Sequence, residues 1–531
     1  MRLFRMNFCQ ARVRLVQAGA ALAAAALVAG CGNNYRPVIT PVTPTGPAPQ
    51  PASYAVVVSA PSATTPGIAT IIDYSGDSKM AEAPVGLGPK GFTVDPSSSS
   101  GYTINSDHTL TYFPVTTSLQ EKNIVYTTLP STASLVNLLS LSAGLWAADL
   151  DGNIVDLFSG APETFQRSIP VAPTPVMMIG SISNSQRNYG ISQGNNQGGD
   201  VSSDVACNLS PTTAPAGEAD GIETAYDTIS SRIPLGQCPV YAVESSDGRR
   251  LFVLNRGSDT VTVINVQNNT VDGQFNAQGQ CVPFQSQTGQ TVTCHAALPL
   301  SLSAVNALNQ ANPGSGNPPN GTSGMTEVAG PVYAEYNAAT NQLVVANYDG
   351  GTISVIDVSL DAYGNDSTTF GTTYTIPVGN HPASVTVLNN GSRAYTANQS
   401  DETVTVVNLS SHTVEKTLPV TGYPRTVVST QNSSYGKVYV ASPNSPYLTI
   451  IRTDQDIVDA TVLLEGDVVD VRVSTQNAVS GNSNIVSRIP GYGEPCNLPD
   501  LPGGYQVAGG TTVEPSSSLA DCQVQNPANL Q

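Results

Sequence analysis

Charge is what this sequence lacks first. Asp, Glu, Lys and Arg make up only 11% of its 531 residues. Basic residues are the scarcer half, 21 Lys+Arg against 39 Asp+Glu. Such a field repels a phosphate backbone and excludes nucleic acid as a natural partner. Histidine is nearly absent, with His108, His295, His381 and His412 as the full set. None has a carboxylate or nucleophile partner visible at motif spacing. Trp146 is the single tryptophan. No C-x-x-C or C-x-x-C-H occurs, which removes the usual zinc, dithiol and haem-attachment signatures. No P-loop occurs, and no G-x-S-x-G or G-x-G-x-x-G sits in the strand–turn–helix setting its chemistry needs. The longest apolar run, residues 18–29, is too short to span a bilayer comfortably.

What is abundant is turn chemistry, with 47 Gly and 39 Pro. A composition light in helix formers and rich in turn residues predicts many short strands. One statement recurs four times: GRRLFVLNRGSDTVTVINV (Gly248–Val266), NQLVVANYDGGTISVIDV (Asn341–Val358), GSRAYTANQSDETVTVVNL (Gly391–Leu409) and GKVYVASPNSPYLTIIRT (Gly436–Thr453). Each copy is an apolar strand, a polar turn and a second strand of β-branched residues. Self-similarity at roughly 40–45 residues in strand-type units predicts propeller blades.

Strands like TVTVINV start at Ile68, Thr109, Asn153, Ile222, Thr260, Thr352, Thr403 and Leu448. The fourth is taken as Ile222–Thr228. The expected fold is therefore all-β, a single propeller of four-stranded blades with eight repeats and seven as the alternative. Two long spacings imply loop insertions near 187–218 and 276–327. A glycine-proline joint precedes each new unit, as in GLGPKGFTV (Gly86–Val94), GQCPVYAV (Gly236–Val243) and GNHPASVTV (Gly379–Val387). Glycine permits the reversal, and proline fixes φ ahead of a buried run. Val468–Ser474 reads as a further inner strand, and the first unit, from Tyr54, lacks one. Pairing the two would close the ring and remove its sheet edges.

These repeats resemble the YVTN-type β-propeller repeats of bacterial envelope proteins, strongly over about 236–474 and partially over 54–180. The resemblance implies an exported protein and, more distantly, a likeness to propeller lactonases. Quinoprotein dehydrogenase propellers carry a tryptophan motif in most blades, so one tryptophan disfavours that group.

The N-terminus agrees with export. An Arg-rich stretch (Arg2, Arg5, Arg12, Arg14) and the apolar run 18–29 end in Val28-Ala29-Gly30-Cys31, in the order of a secretory signal. Small residues before a cysteine resemble a bacterial lipobox. Residues 1–30 then form a lipoprotein signal peptide, and Cys31 carries the lipid. Acyl chains would hold the protein at a membrane surface without spanning it. Gly32 after the cysteine weakly favours the outer membrane over other periplasmic sites. Residues 31–53 are a Pro-rich, semi-rigid linker, 54–474 the propeller, and 475–531 an irregular tail. Beyond Cys9 and Cys31, an even set of cysteines in an exported chain suggests disulfides, here Cys207–Cys238, Cys281–Cys294 and Cys496–Cys522. Cys294-His295 is read as half of a disulfide beside an exposed histidine.

Propellers bind where blade loops converge. Lys90, His381 and Arg425 stand beside the joints and could hold an anion at the channel mouth; equally, each could be a solvated loop residue or cap backbone carbonyls. Asp149-Leu150-Asp151-Gly152-Asn153 has some features of a calcium loop without its closing Glu, and reads better as a hairpin turn. No cofactor and no metal are expected. The leading expectation is a non-enzymatic, monomeric, lipid-anchored scaffold for an envelope protein or surface polymer. A lactonase-like hydrolase using the mouth is the alternative, and a redox-accessory propeller comes third.

Overall fold

The computed structural model describes residues 54–473, apart from 63–64, 96, 142–143, 161–162, 181–186, 195–215, 286–288, 290, 293–294, 313–317 and 431–435, and it describes the tail hairpin Tyr505–Val507 against Thr511–Val513. The signal, Cys9, Cys31, the Pro-rich linker, Cys207, Cys294, Cys496 and Cys522 lie outside the described residues. No helix among the described residues is long and apolar enough to cross a membrane.

Eight antiparallel sheets form an eight-bladed β-propeller. The innermost strands, from blade 1 to blade 8, are Asp467–Val473, Pro89–Val94, Leu135–Leu141, Pro175–Gly180, Pro239–Glu244, Pro331–Asn337, Pro382–Val387 and Thr426–Ser429. Each touches the next, and the last touches the first, so the ring is continuous. Blade 1 is composite. The C-terminal strand Asp467–Val473 is its inner strand, and Tyr54–Ala60, Pro66–Asp73 and Lys79–Leu87 supply the other three. Ala55 pairs with Val473 and Ala60 with Asp467. The closure expected from the sequence is present, and the count is eight.

Burial explains the sequence pattern. Inner and second strands lie between neighbouring blades and are buried on both faces, as in Arg250–Asn255. Hence they read as continuous apolar runs rather than alternating ones. Outer strands such as Thr413–Pro419 are mostly exposed and are correspondingly polar.

Up-and-down blades give the ring two faces. The joint face carries the passages from one blade's outer strand to the next inner strand, and the turns between second and third strands. The hairpin face carries the remaining turns, and there neighbouring blades are bolted together. Arg393, first in the second strand of blade 7, and Tyr395, third in it, both hold Asp456 in the last turn of blade 8. Lys437, first in that strand of blade 8, pairs with Asp77 of blade 1 across the ring closure. In blade 4, Tyr189 donates to Asn269 of blade 5 at 3.1 Å, and Arg187 donates to the Val266 carbonyl at 3.1 Å. Asp77, Asn269 and Asp456 all have φ near +50 to +57°, a left-handed turn that Asn and Asp tolerate.

Two corrections concern the insertions. The stretch near 187–218 is partly blade, since Arg187–Ser192 and Ala216–Glu223 are the second and third strands of blade 4. The third strand begins ahead of the expected Ile222, because AGEADGIE has little apolar character to mark its start. Its small residues are required. A Cβ on Gly217 would lie 2.3 Å from Pro239, and one on Gly221 2.5 Å from Ser231 Oγ. The stretch near 276–327 is not simple surface loop either. Ala297–Pro299 completes the outer strand of blade 5 begun by Thr270–Val271. The helix Leu302–Ala311, capped by Ser301, buries Ala304 and Val305.

Asp456→Asn keeps a residue suited to the left-handed turn but removes the charge that Arg393 and Tyr395 both hold. Weakening this largely buried ion pair is expected to cost about 2–3 kcal/mol, measured by denaturant unfolding against wild type. A loss below about 0.5 kcal/mol, the size of an ordinary surface substitution, would show that the bolt contributes nothing.

Candidate functional site

The joint face is built from one repeated latch. An asparagine ends the second strand, and its amide spans the turn to two hydroxyls of the third strand. Asn255 donates to Thr260 and Thr262 at 3.2 and 2.8 Å, Asn347 to Thr352 and Ser354 at 3.0 and 2.9 Å, and Asn398 to Thr403 and Thr405 at 3.0 and 2.7 Å. Asn105 does the same with Thr109 and Thr111 in blade 2. The joint glycine makes room for it, because a Cβ on Gly379 would sit 2.6 Å from Asn398. A second side chain of the same turn accepts from the joint backbone: Asp107 from Leu87, Ser258 from Gln237, Asp401 from Asn380 and Asn444 from Tyr423. This explains the N-x4-T-x-[TS] spacing of blades 5, 6 and 7, the N-x3-T-x-T of blade 2, and the glycine ahead of these joints.

The residue before the joint proline adopts positive φ in five blades: Gly88, Thr174, Cys238, Gly330 and His381. The residue after that proline is a β-bulge in blades 2, 4, 5, 6 and 7, and blades 3 and 1 carry the same bulge without the proline. Bulges break the ladder locally and re-aim a side chain. The bulged residues are Lys90 and, elsewhere, Val136, Val176, Val240, Val332, Ala383 and Val469, which are all buried. Lys90 alone is charged and exposed. It is nonetheless enclosed enough that desolvation lowers its pKa, with Asp151 of the neighbouring blade opposing the shift. Arg425 follows Pro424 in blade 8, the corresponding place in the repeat, and is buried.

His381 belongs to a different group. It is half-buried, its Nδ1 lies 2.7 Å from Ser400 Oγ, and its ring lies 4.5 Å from that of Tyr348. Arg256 sits over the other side of this cluster, 5.9 Å from the Tyr348 ring, and pairs with Asp349 at 3.1 Å. The three expected mouth residues therefore occupy one face, with Lys90 and Arg425 in matching repeat positions and His381 in an aromatic cluster between blades 6 and 7.

Other expectations fare differently. Asp149 Oδ1 accepts from the backbone of Gly152 and Ser134 at 3.0 and 3.2 Å, so this segment is a turn rather than a calcium loop. No metal-binding group of His, Cys, Asp and Glu is found among the described residues. Gly190-Ile191-Ser192-Gln193-Gly194 matches G-x-S-x-G in letters, but Ser192 is a fully buried strand residue, not a nucleophile on a strand-to-helix turn. Cys238 and Cys281 are disulfide-bonded; the partners expected for them lie outside the described residues.

His295 is a correction. It is buried, not exposed. Its Nδ1 lies 3.0 Å from Asp366 of blade 6, Arg250 contacts the same carboxylate at 3.1 Å, and Arg250 Nε reaches Asp272 at 3.0 Å. Burial alone would raise the Asp366 pKa, but the His295 hydrogen bond and the Arg250 charge outweigh it and hold it low. Asp272 goes the other way, pushed up to about 6 by burial and by Asp366. The network lies on the hairpin side and fastens the blade-5 insertion to blade 6. Sequence spacing gave no sign of it, because its members come from four separated segments.

No family model matches the chain, and no curated protein matches it. Solved structures share the fold. AztD from Citrobacter koseri aligns with a TM-score of 0.51 and 10% identity, over 79% of this chain and 97% of that one. Dihydro-heme d1 dehydrogenase NirN, solved in complex with DHE, aligns with a TM-score of 0.51 and 12% identity, over 80% and 75%. A candidate 6-phosphogluconolactonase from Bacteroides fragilis aligns with a TM-score of 0.45 and 13% identity, over 81% and 99%. At such identities the likeness is one of fold.

Asp220, Asp272 and Asp467 each have a pKa raised to about 6, in every case chiefly by burial. A carboxyl raised in the folded state adds stability below its unfolded value, and loses it as pH climbs through the folded value. Melting is therefore expected at higher temperature near about pH 5.5 than near about pH 8, with Asp467→Asn narrowing the gap. A flat or inverted profile would contradict the burial of these groups.

Proposed function

We propose that the protein is an exported binding propeller, tethered to a bacterial membrane through lipid on Cys31, which presents its joint face to another envelope component. One observation carries this reading. Tyr54, where the chain enters the ring, and Val473, where it leaves, are both on the hairpin face, because Ala55 pairs with Val473 at that end of blade 1. The chain thus enters the ring on the face away from the joints. The hairpin face carries the Arg393–Asp456 and Lys437–Asp77 inter-blade pairs, and the joint face carries Arg256–Asp349. This leaves the joint face, with its bulge residues and blade-specific turns, as the surface to be presented. The signal-like N-terminus, the lipobox resemblance and the YVTN-type repeats support export.

Trimming the whole of Ala277–Glu327 would be a poor test of partner binding, since that stretch includes an outer strand of blade 5 and the buried His295.

The better test is photo-crosslinking in cells. Probes at Val328 and Asn380, exposed on the joint face, are expected to yield a defined adduct with an envelope protein or polymer. Probes at Tyr226 and Tyr363, exposed on the hairpin face, are expected to yield none. Adducts from the hairpin face alone, or from neither face, would overturn the assignment.

A further inference from the structure

We propose that Ser400 and His381 form a nucleophilic dyad on the joint face, which takes an acyl group from a small carboxylic ester. The proposal is independent of the partner-binding reading above.

The two side chains meet directly. His381 Nδ1 lies 2.7 Å from Ser400 Oγ. With the ring hydrogen on Nε2, Nδ1 accepts the hydrogen bond of the serine hydroxyl. This is the arrangement by which a histidine converts a weak hydroxyl into a nucleophile. His381 stands in the joint, and Ser400 in the turn between the second and third strands of blade 7. Both are half-buried rather than enclosed, so a small molecule in solution can reach the pair.

The segments that carry them are tied together around the pair. The Asn380 N–H donates to Asp401 Oδ2 at 2.7 Å, and the Asn380 side-chain amide donates to Asp401 Oδ1 at 2.8 Å. The Gln399 N–H donates to the His381 carbonyl at 2.9 Å. The His381 ring also packs 4.5 Å from the buried ring of Tyr348. These contacts fix histidine and serine relative to one another before a substrate arrives, as catalysis by positioning requires.

The turn itself does not call for this pair. The Gln399 bond recurs from Ser106 to Gly88, Gln193 to Thr174, Arg256 to Cys238 and Tyr348 to Gly330. Glycine, threonine or cysteine therefore serves where blade 7 has histidine. His381 facing Ser400 belongs to blade 7 and not to the repeat.

The reaction runs in two steps. Ser400 Oγ attacks the ester carbonyl carbon while its proton passes to His381 Nδ1. The bond from that carbon to the alcohol oxygen breaks, the alcohol leaves with the proton, and the acyl group stays on Ser400. Water then attacks the acyl-serine, His381 Nδ1 takes a proton from the water and returns it to Ser400 Oγ, and the carboxylic acid is released. An ester suits this pair better than an amide, because an alcohol leaves more readily than an amine.

The test treats the purified, folded protein with a fluorophosphonate, which phosphonylates activated serines, and maps the adduct by mass spectrometry. Hydrolysis of p-nitrophenyl acetate is followed in parallel. Labelling is expected at Ser400, with both labelling and hydrolysis abolished in Ser400→Ala. His381→Asn keeps a residue suited to the backbone there, whose φ is +54°, and is expected to slow both readouts at least about 100-fold, the loss of a general base. Ser106→Ala, exposed in the matching turn of blade 2, is expected to change neither. Melting curves establish that each variant folds; should His381→Asn fail to, His381→Gln takes its place. No adduct at Ser400, labelling spread equally over Ser106 and Ser400, or labelling of Ser400 that survives loss of the histidine would overturn the proposal.

Discussion

Every other feature depends on the pairing of Asp467–Val473 with Tyr54–Ala60. A blade cannot stand alone, since its inner and second strands are apolar on both faces and need a neighbour on each side. In an open array the two terminal blades would expose those faces, together with an unpaired strand edge. Blade 1 solves both problems by joining strands from the two ends of the propeller. The Lys437–Asp77 pair bridges the same seam. Closure also puts Tyr54 and Val473, the two ends of the ring, on the hairpin face.

The two faces are built by different chemistry. On the hairpin face, cations and tyrosines of one blade grip an Asp or Asn in the next, so charge is used between blades. On the joint face, uncharged Asn–Thr/Ser latches hold the turns of blades 2, 5, 6 and 7, with Arg256–Asp349 as a charged contact between blades 5 and 6. Latches that need no charge leave the residues around them free to differ from blade to blade. Lys90 is the clearest case, a lysine where six other blades carry valine or alanine. The His381–Tyr348–Arg256 cluster is another departure from the repeat, confined to blades 5 to 7.

Much of this was legible in the sequence, for physical reasons. Second and third strands are apolar or β-branched because blades bury them on both faces, so LFVLN and TVTVIN announce themselves. Joints are legible because glycine and proline answer steric demands, here clearance for Asn398 and its counterparts. The start of the third strand of blade 4 was not legible, because its glycines and alanines permit close approach and carry little apolar signal. The burial of His295 was hidden for another reason, as its partners Asp366 and Arg250 are distant in sequence and meet only when blade 5's insertion packs on blade 6. Of the candidate site, residue types at the joints could be picked out. That Lys90 is a bulge, and that His381 faces an aromatic cluster, required strand register.

The most direct measurement compares a chain ending at Glu465 with one ending at Ser474, by size-exclusion chromatography and thermal melting. The longer chain retains the closing strand and should remain monodisperse with one cooperative transition. The shorter chain exposes the inner edge of Tyr54–Ala60 and should aggregate or melt without cooperativity. If both chains were monodisperse and melted alike, closure would not be what holds the ring.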